Sequence, residues 1–190
     1  MSARKLRHRR LHRKFRKRKS LKILTVPNVI TFVRIGIIPF LIAAFYLNTN
    51  LALGVFVFAC ATDYIDGFMA KRFKQFSRFG ALIDPIADKL LISAALVMVS
   101  GFGIVGGVHL IPSAMTVGRE FLISGLREFL AESGQDLPVS TLAKYKTALQ
   151  MLAITCLLAG FSLYGLVLLW LSAGISVLSA AQYFHQIRRQ

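Results

Sequence analysis

Six long apolar stretches constrain the fold of this chain more than any other feature. They cover residues 30–48, 51–72, 80–101, 104–131, 140–160 and 163–186. A helix needs about 20 predominantly apolar residues to cross the hydrocarbon core of a bilayer, and each stretch reaches roughly that length. The mean hydropathy of +0.60 and the hydrophobic content of 55% exceed those of ordinary soluble domains. The sequence therefore predicts an all-α polytopic membrane protein with six transmembrane helices.

The N-terminal region differs in composition from the rest of the chain. Residues 1–20 contain eleven Lys or Arg and no acidic residue. Self-repulsion predicts a disordered basic arm there, and such an arm is attracted to an anionic lipid surface. Residues 21–33 alternate apolar and polar side chains, and Pro27 suits a helix start. We expect an interfacial juxtamembrane helix over 21–33, at the beginning of one helical domain over 21–190.

The distribution of charge predicts how the helices are oriented. The connections at 48–50, 101–107 and 160–164 carry no charge, whereas the alternate connections and both ends of the chain carry Lys or Arg. Cationic segments remain on the cytoplasmic side of a membrane. Both termini are therefore predicted to be cytoplasmic, and the location that we expect is the inner membrane of a bacterial cell. Because the net charge of +16 is concentrated in the arm, we expect no nucleic-acid partner.

Four carboxylates within the second and third stretches are the strongest chemical signal. Asp63 and Asp66 lie three positions apart, and Asp84 and Asp88 lie four apart, so each pair occupies one helix face. A charged side chain in a membrane is costly and usually functional. Neighbouring carboxylates raise one another's pKa unless cations compensate them. The sequence predicts a divalent-metal site, with Mg²⁺ or Mn²⁺ favoured over Ca²⁺ and room for two ions; structural salt bridges with the basic loop are the alternative.

The residues around these carboxylates form a known pattern. The pattern consists of Asp63, Asp66, Gly67, Ala70, Lys71, Gly80, Asp84 and Asp88. It resembles the signature of the CDP-alcohol phosphatidyltransferases, with one departure at Lys71, where that family commonly has Arg. The resemblance extends over nearly all of residues 21–187, and members of the family are often homodimers.

The resemblance implies a role for each residue of the pattern. Asp63, Asp66 and Asp84 would bind the metal, and Asp88 would complete the metal site and act as the general base. The CDP group of the donor would be bound by Asp63, Asp66, Gly67, Ala70, Lys71 and Gly80. The base would deprotonate an acceptor hydroxyl, which would attack the β-phosphorus of CDP-diacylglycerol and expel CMP.

The second half of the chain indicates which acceptor is used. Arg119 and Arg127 fall on the fourth stretch, and Lys144 and Lys146 begin the fifth. Lys144 and Lys146 point about 200° apart on an ideal helix, so only one is expected to face a pocket. These four cations are the predicted acceptor-phosphate site.

The acidic residues beside the two arginines, Glu120 and Glu128, could orient them. The segments around these positions resemble the branch of the family that uses sn-glycerol 3-phosphate. Cardiolipin synthase and phosphatidylserine synthase activities remain alternatives within the family, and a membrane cation transporter is the alternative from another class.

Overall fold

A computed structural model of the chain describes residues 26–73, 78–132 and 141–188, with side chains described for 32–62, 86, 87, 89–130 and 145–183. Within these residues the fold is all-α. The six helices are α1 (Val26–Leu47), α2 (Thr49–Phe73), α3 (Arg78–Gly101), α4 (Leu110–Glu132), α5 (Thr141–Leu158) and α6 (Ser162–Arg188). Each predicted stretch corresponds to one helix, so the all-α prediction is confirmed.

Two predicted boundaries differ from the structure. Residues 26–33 belong to the continuous helix α1, so a separate interfacial helix over 21–33 is not observed in its described part. Residues 21–25 and the predicted arm lie outside the described residues. The fourth helix begins at Leu110 and not at 104, after a 3₁₀ turn over Gly107–His109. Gly103 and Gly107 adopt positive φ angles of 72° and 57°, which end α3 and interrupt the apolar run.

The helices pack around one apolar core. Helix α1 contacts α2 and α3, α5 contacts α2, α3 and α6, and α4 contacts α3 and α6. The largest fully buried apolar side chains come from five helices: Leu41, Phe56, Leu91, Leu96, Ile154, Leu157 and Leu169. Burial of such side chains stabilises a packed core by about 1.5–3 kcal/mol each when water is the reference solvent.

A tight turn joins α5 to α6 and makes them antiparallel. Gly160 has a φ of 85°, the Phe161 amide donates to the Cys156 carbonyl at 2.9 Å, and the Gly160 amide donates to the Leu157 carbonyl at 3.2 Å. This is the hydrogen-bond pattern by which a left-handed glycine ends a helix. One turn into α6, a Cβ atom at Gly165 would lie only 2.5 Å from the Leu157 Cγ atom. The absence of a side chain there lets the two helices approach closely.

The surface of the bundle is strongly apolar. Among the described residues, Ser162–Tyr183 is the one helical stretch both long and apolar enough to cross a membrane. Four shorter apolar stretches cover Phe32–Leu47, Thr49–Thr62, Lys89–Gly101 and Tyr145–Leu158. Large side chains such as Phe40, Tyr46, Phe129 and Leu163 are exposed. Extensive apolar exposure of this kind is typical of surfaces that contact lipid or another protein.

Candidate active site

The four predicted carboxylate ligands lie on helices that meet at one connection. Asp63 and Asp66 are in the second half of α2, and Asp84 and Asp88 are in the first half of α3. Only residues 74–77 separate these two helices, so the fold brings all four positions toward the same end of the bundle. We call this end the carboxylate end. The four side chains, with Gly67, Ala70, Lys71 and Gly80, lie outside the residues whose side chains are described.

A buried ionic network lies between α4, α5 and α6. The Lys146 ammonium of α5 donates to Glu120 of α4, and the Lys146 side chain is 2% exposed. The second Glu120 oxygen lies 3.7 Å from the Arg119 Nη1 atom. Arg119 also donates through Nη2 to the Ser179 hydroxyl of α6. One carboxylate therefore holds two cations from different helices.

The positions of Arg119 and Glu120 on α4 explain this arrangement. Adjacent residues of a helix project about 100° apart. One side chain can therefore reach α6 while the next reaches α5. A buried ion pair of this kind is costly to desolvate, and it persists where both partners are also hydrogen bonded. The interpretation that Glu120 is a partner of Arg119 is confirmed, and its contact with Lys146 was not foreseen.

A second polar contact crosses from α3 to α4. The Lys89 ammonium donates to the Ser124 hydroxyl, and both residues are half-buried. Lys89 directly follows Asp88 in the sequence. The ammonium of Lys89 is thus aimed at the helix that carries Arg119 and Arg127.

The directions of the helices fix the order of these contacts. His109, just before α4, accepts a hydrogen bond at 3.1 Å from Trp170 near the start of α6, while Arg119 and Ser179 meet further along both helices. Helices α4 and α6 are therefore parallel. Helix α5 is antiparallel to α6 through the Gly160 turn, and α3 enters α4 through residues 102–109, which makes those two antiparallel.

Three polar layers follow along the bundle from the carboxylate end. The first is the Lys89–Ser124 contact, and the second is the network of Arg119, Glu120, Lys146 and Ser179. The third contains Thr116, Gln150 and Ser176. Each lies about one helical turn farther from the carboxylate end than a member of the second layer on the same helix. The members of the third layer are at most 1% exposed. Within the described part of the chain, the Thr116 and Ser176 hydroxyls and the Gln150 amide nitrogen have no hydrogen-bond partner.

The predicted acceptor residues divide into three groups. Arg119 and Lys146 are brought together, and Lys146 faces the interior as the sequence predicted for one of the two lysines. Arg127 is half-buried about two turns closer to the carboxylate end than Arg119, and it does not join the network formed by the described residues. The side chain of Lys144 lies outside the described set. Glu128 is exposed.

Sequence reasoning missed the contributions of α3 and α6. Lys89 was not predicted because the adjacent Asp88 belongs to the carboxylate pattern and Lys89 does not. Ser179 was not predicted because it lies within an apolar stretch. A local signal existed on α6, where Ser172, Ser176 and Ser179 recur at helical spacing and are all buried. The contact between His109 and Trp170 was also missed, because 61 positions separate the two residues.

The donor set fits a divalent cation. Carboxylate oxygens are the protein ligands that Mg²⁺ and Mn²⁺ prefer, and the backbone brings four Asp positions to one end. Among the side chains that are described, His, Cys, Asp and Glu form no group of three or more. The four Asp residues remain the predicted metal ligands.

Comparison with known proteins gives a consistent result. The family model for CDP-alcohol phosphatidyltransferase matches residues 24–178. The chain is 40% identical over 176 residues to CDP-diacylglycerol–glycerol-3-phosphate 3-phosphatidyltransferase of Rickettsia bellii, covering 86% of this chain and 96% of the relative. It is 41% identical over 174 residues to the protein of the same name from Pseudomonas fluorescens, covering 84% and 88%. A third relative of that name, from Yersinia enterocolitica, is 40% identical over 172 residues and covers 85% and 94%.

Proposed function

The chain belongs to the CDP-alcohol phosphatidyltransferase family, and we propose that it transfers the phosphatidyl group of CDP-diacylglycerol to sn-glycerol 3-phosphate. The products are phosphatidylglycerophosphate and CMP, and the reaction belongs to phospholipid biosynthesis. The enzyme is a metal-dependent transferase.

The carboxylate end is the proposed site of the donor and the metal. Asp63, Asp66, Asp84 and Asp88 would hold two divalent cations, Mg²⁺ or Mn²⁺. When bound, these cations stabilise the negative charge that develops on the phosphoryl oxygens and on the departing CMP. Residues near the connection between α2 and α3 bind the CDP group: Asp63, Asp66, Gly67, Ala70, Lys71 and Gly80. A single ammonium at Lys71 supplies a point charge, where an arginine would supply a two-pronged contact.

The buried network on α4 and α5 is the observation that carries the acceptor assignment. Within the described residues, Arg119 and Lys146 bring two positive charges together against the single carboxylate of Glu120. A phosphate monoester carries a charge of about −1.5 to −2 at neutral pH. Such a ligand balances the excess, whereas serine or another acceptor without a phosphate does not. Arg127 and Lys144 complete the proposed site toward the carboxylate end.

The chemical step needs one proton acceptor. Asp88 takes the proton of the glycerol 3-phosphate 1-hydroxyl, and the oxygen attacks the β-phosphorus of the donor. A new O–P bond forms while the bond between that phosphorus and the bridging oxygen breaks, and CMP leaves with the bond electrons. The buried cations orient the acceptor by its phosphate, which brings the hydroxyl to the metal end and makes the attack effectively intramolecular.

The apolar surface supports a membrane location. We propose that all six helices cross the bilayer, that both termini and the carboxylate end are cytoplasmic, and that the protein resides in an inner membrane. The 1–20 arm would associate with anionic lipid. Glycerol 3-phosphate is water-soluble and CDP-diacylglycerol is a lipid, so a site at one end of the bundle serves both.

The test is an acceptor panel with the purified protein. CMP release from CDP-diacylglycerol is measured with glycerol 3-phosphate, serine, phosphatidylglycerol and glycerol, in the presence of Mg²⁺ or Mn²⁺ and after chelation. Among these acceptors, we expect CMP release only with glycerol 3-phosphate. Chelation of the metal should abolish that release. Release with phosphatidylglycerol or serine instead would reassign the acceptor, and metal movement without CMP would favour a transporter.

A further inference from the structure

Lys89 lies between the proposed metal site and the proposed acceptor-phosphate site. Its backbone follows Asp88 directly, so the two Cα atoms are about 3.8 Å apart. Its ammonium donates to Ser124 on α4 and is therefore directed into the bundle and not toward the surface. The side chain is half-buried.

The position of Ser124 places this ammonium near the acceptor cations. Ser124 is four residues beyond Glu120 on α4, a rise of about 6 Å along the helix. It precedes Arg127 by three residues, a rise of about 4.5 Å. Lys89 thus occupies the level between the Arg119–Glu120–Lys146 network and Arg127.

Distance along the bundle decides which polar layer a small acceptor can reach. From the level of Ser124, the third layer at Thr116 is about 12 Å away, whereas the second layer is about 6 Å away. A three-carbon acceptor whose hydroxyl lies on the carboxylate side of the Ser124 level cannot extend its phosphate to Thr116. It can extend it to the space between Lys89 and Lys146.

We propose that Lys89 binds the phosphate of the acceptor and that the Ser124 hydroxyl holds the Lys89 ammonium in position. This inference rests on the proposed function and adds a residue that links the acceptor pocket to the general base. Because Lys89 is next to Asp88 and touches the phosphate, it couples the location of the phosphate to the location of the reacting hydroxyl.

A purely structural role for the Lys89–Ser124 contact makes different predictions. A structural contact would affect stability and both substrates alike. A phosphate contact would affect only the KM of the acceptor. The positive charge of Lys89 would then matter more than its ability to donate a hydrogen bond. The variants Lys89→Gln, Lys89→Arg and Ser124→Ala separate these roles, since Gln keeps a donor without charge and Arg keeps the charge.

The experiment measures the KM of both substrates and the thermal stabilisation given by glycerol 3-phosphate. Loss of a charge-assisted hydrogen bond should raise the glycerol 3-phosphate KM of Lys89→Gln by about 10- to 100-fold and leave the CDP-diacylglycerol KM within about twofold. The Tm increase that glycerol 3-phosphate gives to the wild type should be lost in Lys89→Gln and retained in part in Lys89→Arg.

Ser124→Ala tests how Lys89 is positioned. As a single substitution it should raise the glycerol 3-phosphate KM by a few-fold. Added to Lys89→Gln it should cause no further rise, because the Ser124 hydroxyl acts through the Lys89 ammonium. Ser113→Ala is the matched control, since it removes a buried hydroxyl from the same helix three turns away. Its KM values should equal those of the wild type.

Two results would overturn the proposal. One is an equal rise of both KM values in Lys89→Gln, and the other is an undiminished Tm increase with glycerol 3-phosphate in that variant. The wild-type acceptor panel keeps this outcome distinct from failure of the proposed function. If the wild type releases CMP with glycerol 3-phosphate but Lys89→Gln has a normal KM, the function stands and the role of Lys89 does not.

Discussion

Glu120 joins cations from two helices inside the bundle. Its two oxygens face Lys146 and Arg119, and without it these like charges would lie buried and close together. Removing one member of a buried pair typically destabilises a protein by about 3–5 kcal/mol, because the remaining charge is uncompensated. The carboxylate therefore compensates the two buried cations that form the proposed acceptor site.

Arg119 and Arg127 differ in their surroundings, and this difference gives a prediction for the acceptor. Arg119→Ala should raise the glycerol 3-phosphate KM more than Arg127→Ala, since only Arg119 belongs to the described network. Both should affect CDP-diacylglycerol less. Steady-state kinetics with each substrate varied in turn makes the comparison. An equal effect of Arg119→Ala on both substrates would assign that residue a structural role.

Asp88 carries the prediction for catalysis. Asn has nearly the same volume and keeps one oxygen, but it cannot accept a proton at neutral pH. Asp88→Asn should fold, bind CDP-diacylglycerol and lose turnover by about 10²- to 10⁴-fold, the usual contribution of a positioned base. Asp63→Asn should instead weaken metal and donor binding together. Near-normal turnover of Asp88→Asn with intact metal dependence would remove the base assignment.

At the scale of elements, the close approach of α5 and α6 sets the relative positions of Lys146 and Ser179 in the ionic network. Gly165 faces Leu157 near the turn, and the polar residues of both helices lie further along the same interface. Lys146 belongs to α5, and Ser179, which accepts a hydrogen bond from Arg119, belongs to α6. A change in the distance between the two helices would therefore move Lys146 relative to Arg119. The third polar layer lies between the turn and the network.

Gly165 gives the prediction at this scale. In Gly165→Ala the new Cβ would lie 2.5 Å from Leu157 Cγ and 3.0 Å from the Leu157 backbone nitrogen. Overpacking of this kind costs about 1–3 kcal/mol, so the Tm in detergent should fall. Gly54→Ala is the control, because nothing lies within 4 Å of its Cβ and alanine favours the helix. Equal Tm values for the two variants would show that the α5–α6 contact tolerates a methyl group.

At the scale of the molecule, the charged residues of the interior lie toward the carboxylate end of the bundle. The four Asp positions, Lys89 and the ionic network follow one another from the carboxylate end inward, while His109, Trp170 and the Gly160 turn lie at the opposite end. This gradient suits a bundle that meets water-soluble substrate on one face of a membrane only. The uncharged connections at 48–50 and 160–164 belong to the opposite end.

The orientation is tested by cysteine labelling in intact cells. In a background with Cys60 and Cys156 replaced by Ser, a cysteine at Asn48 or Ser162 should react with a membrane-impermeant reagent from outside. A cysteine at Gln75 should react only after the membrane is opened. The reverse pattern would place the carboxylate end outside the cytoplasm and would contradict the proposed access of glycerol 3-phosphate.

The sequence by itself determined the number and order of the six long helices and the residues of the phosphatidyltransferase signature, because hydrophobic length and i, i+3 or i, i+4 spacing are local properties of a chain. It also predicted that only one of Lys144 and Lys146 faces the interior. It did not determine where α1 and α4 begin. The tertiary structure decided that Lys146 turns inward to Glu120, that Arg119 and Arg127 are separated, and that Lys89 reaches Ser124. These contacts depend on how each helix is rotated and shifted against its neighbours, and side-chain packing across the whole bundle fixes that rotation.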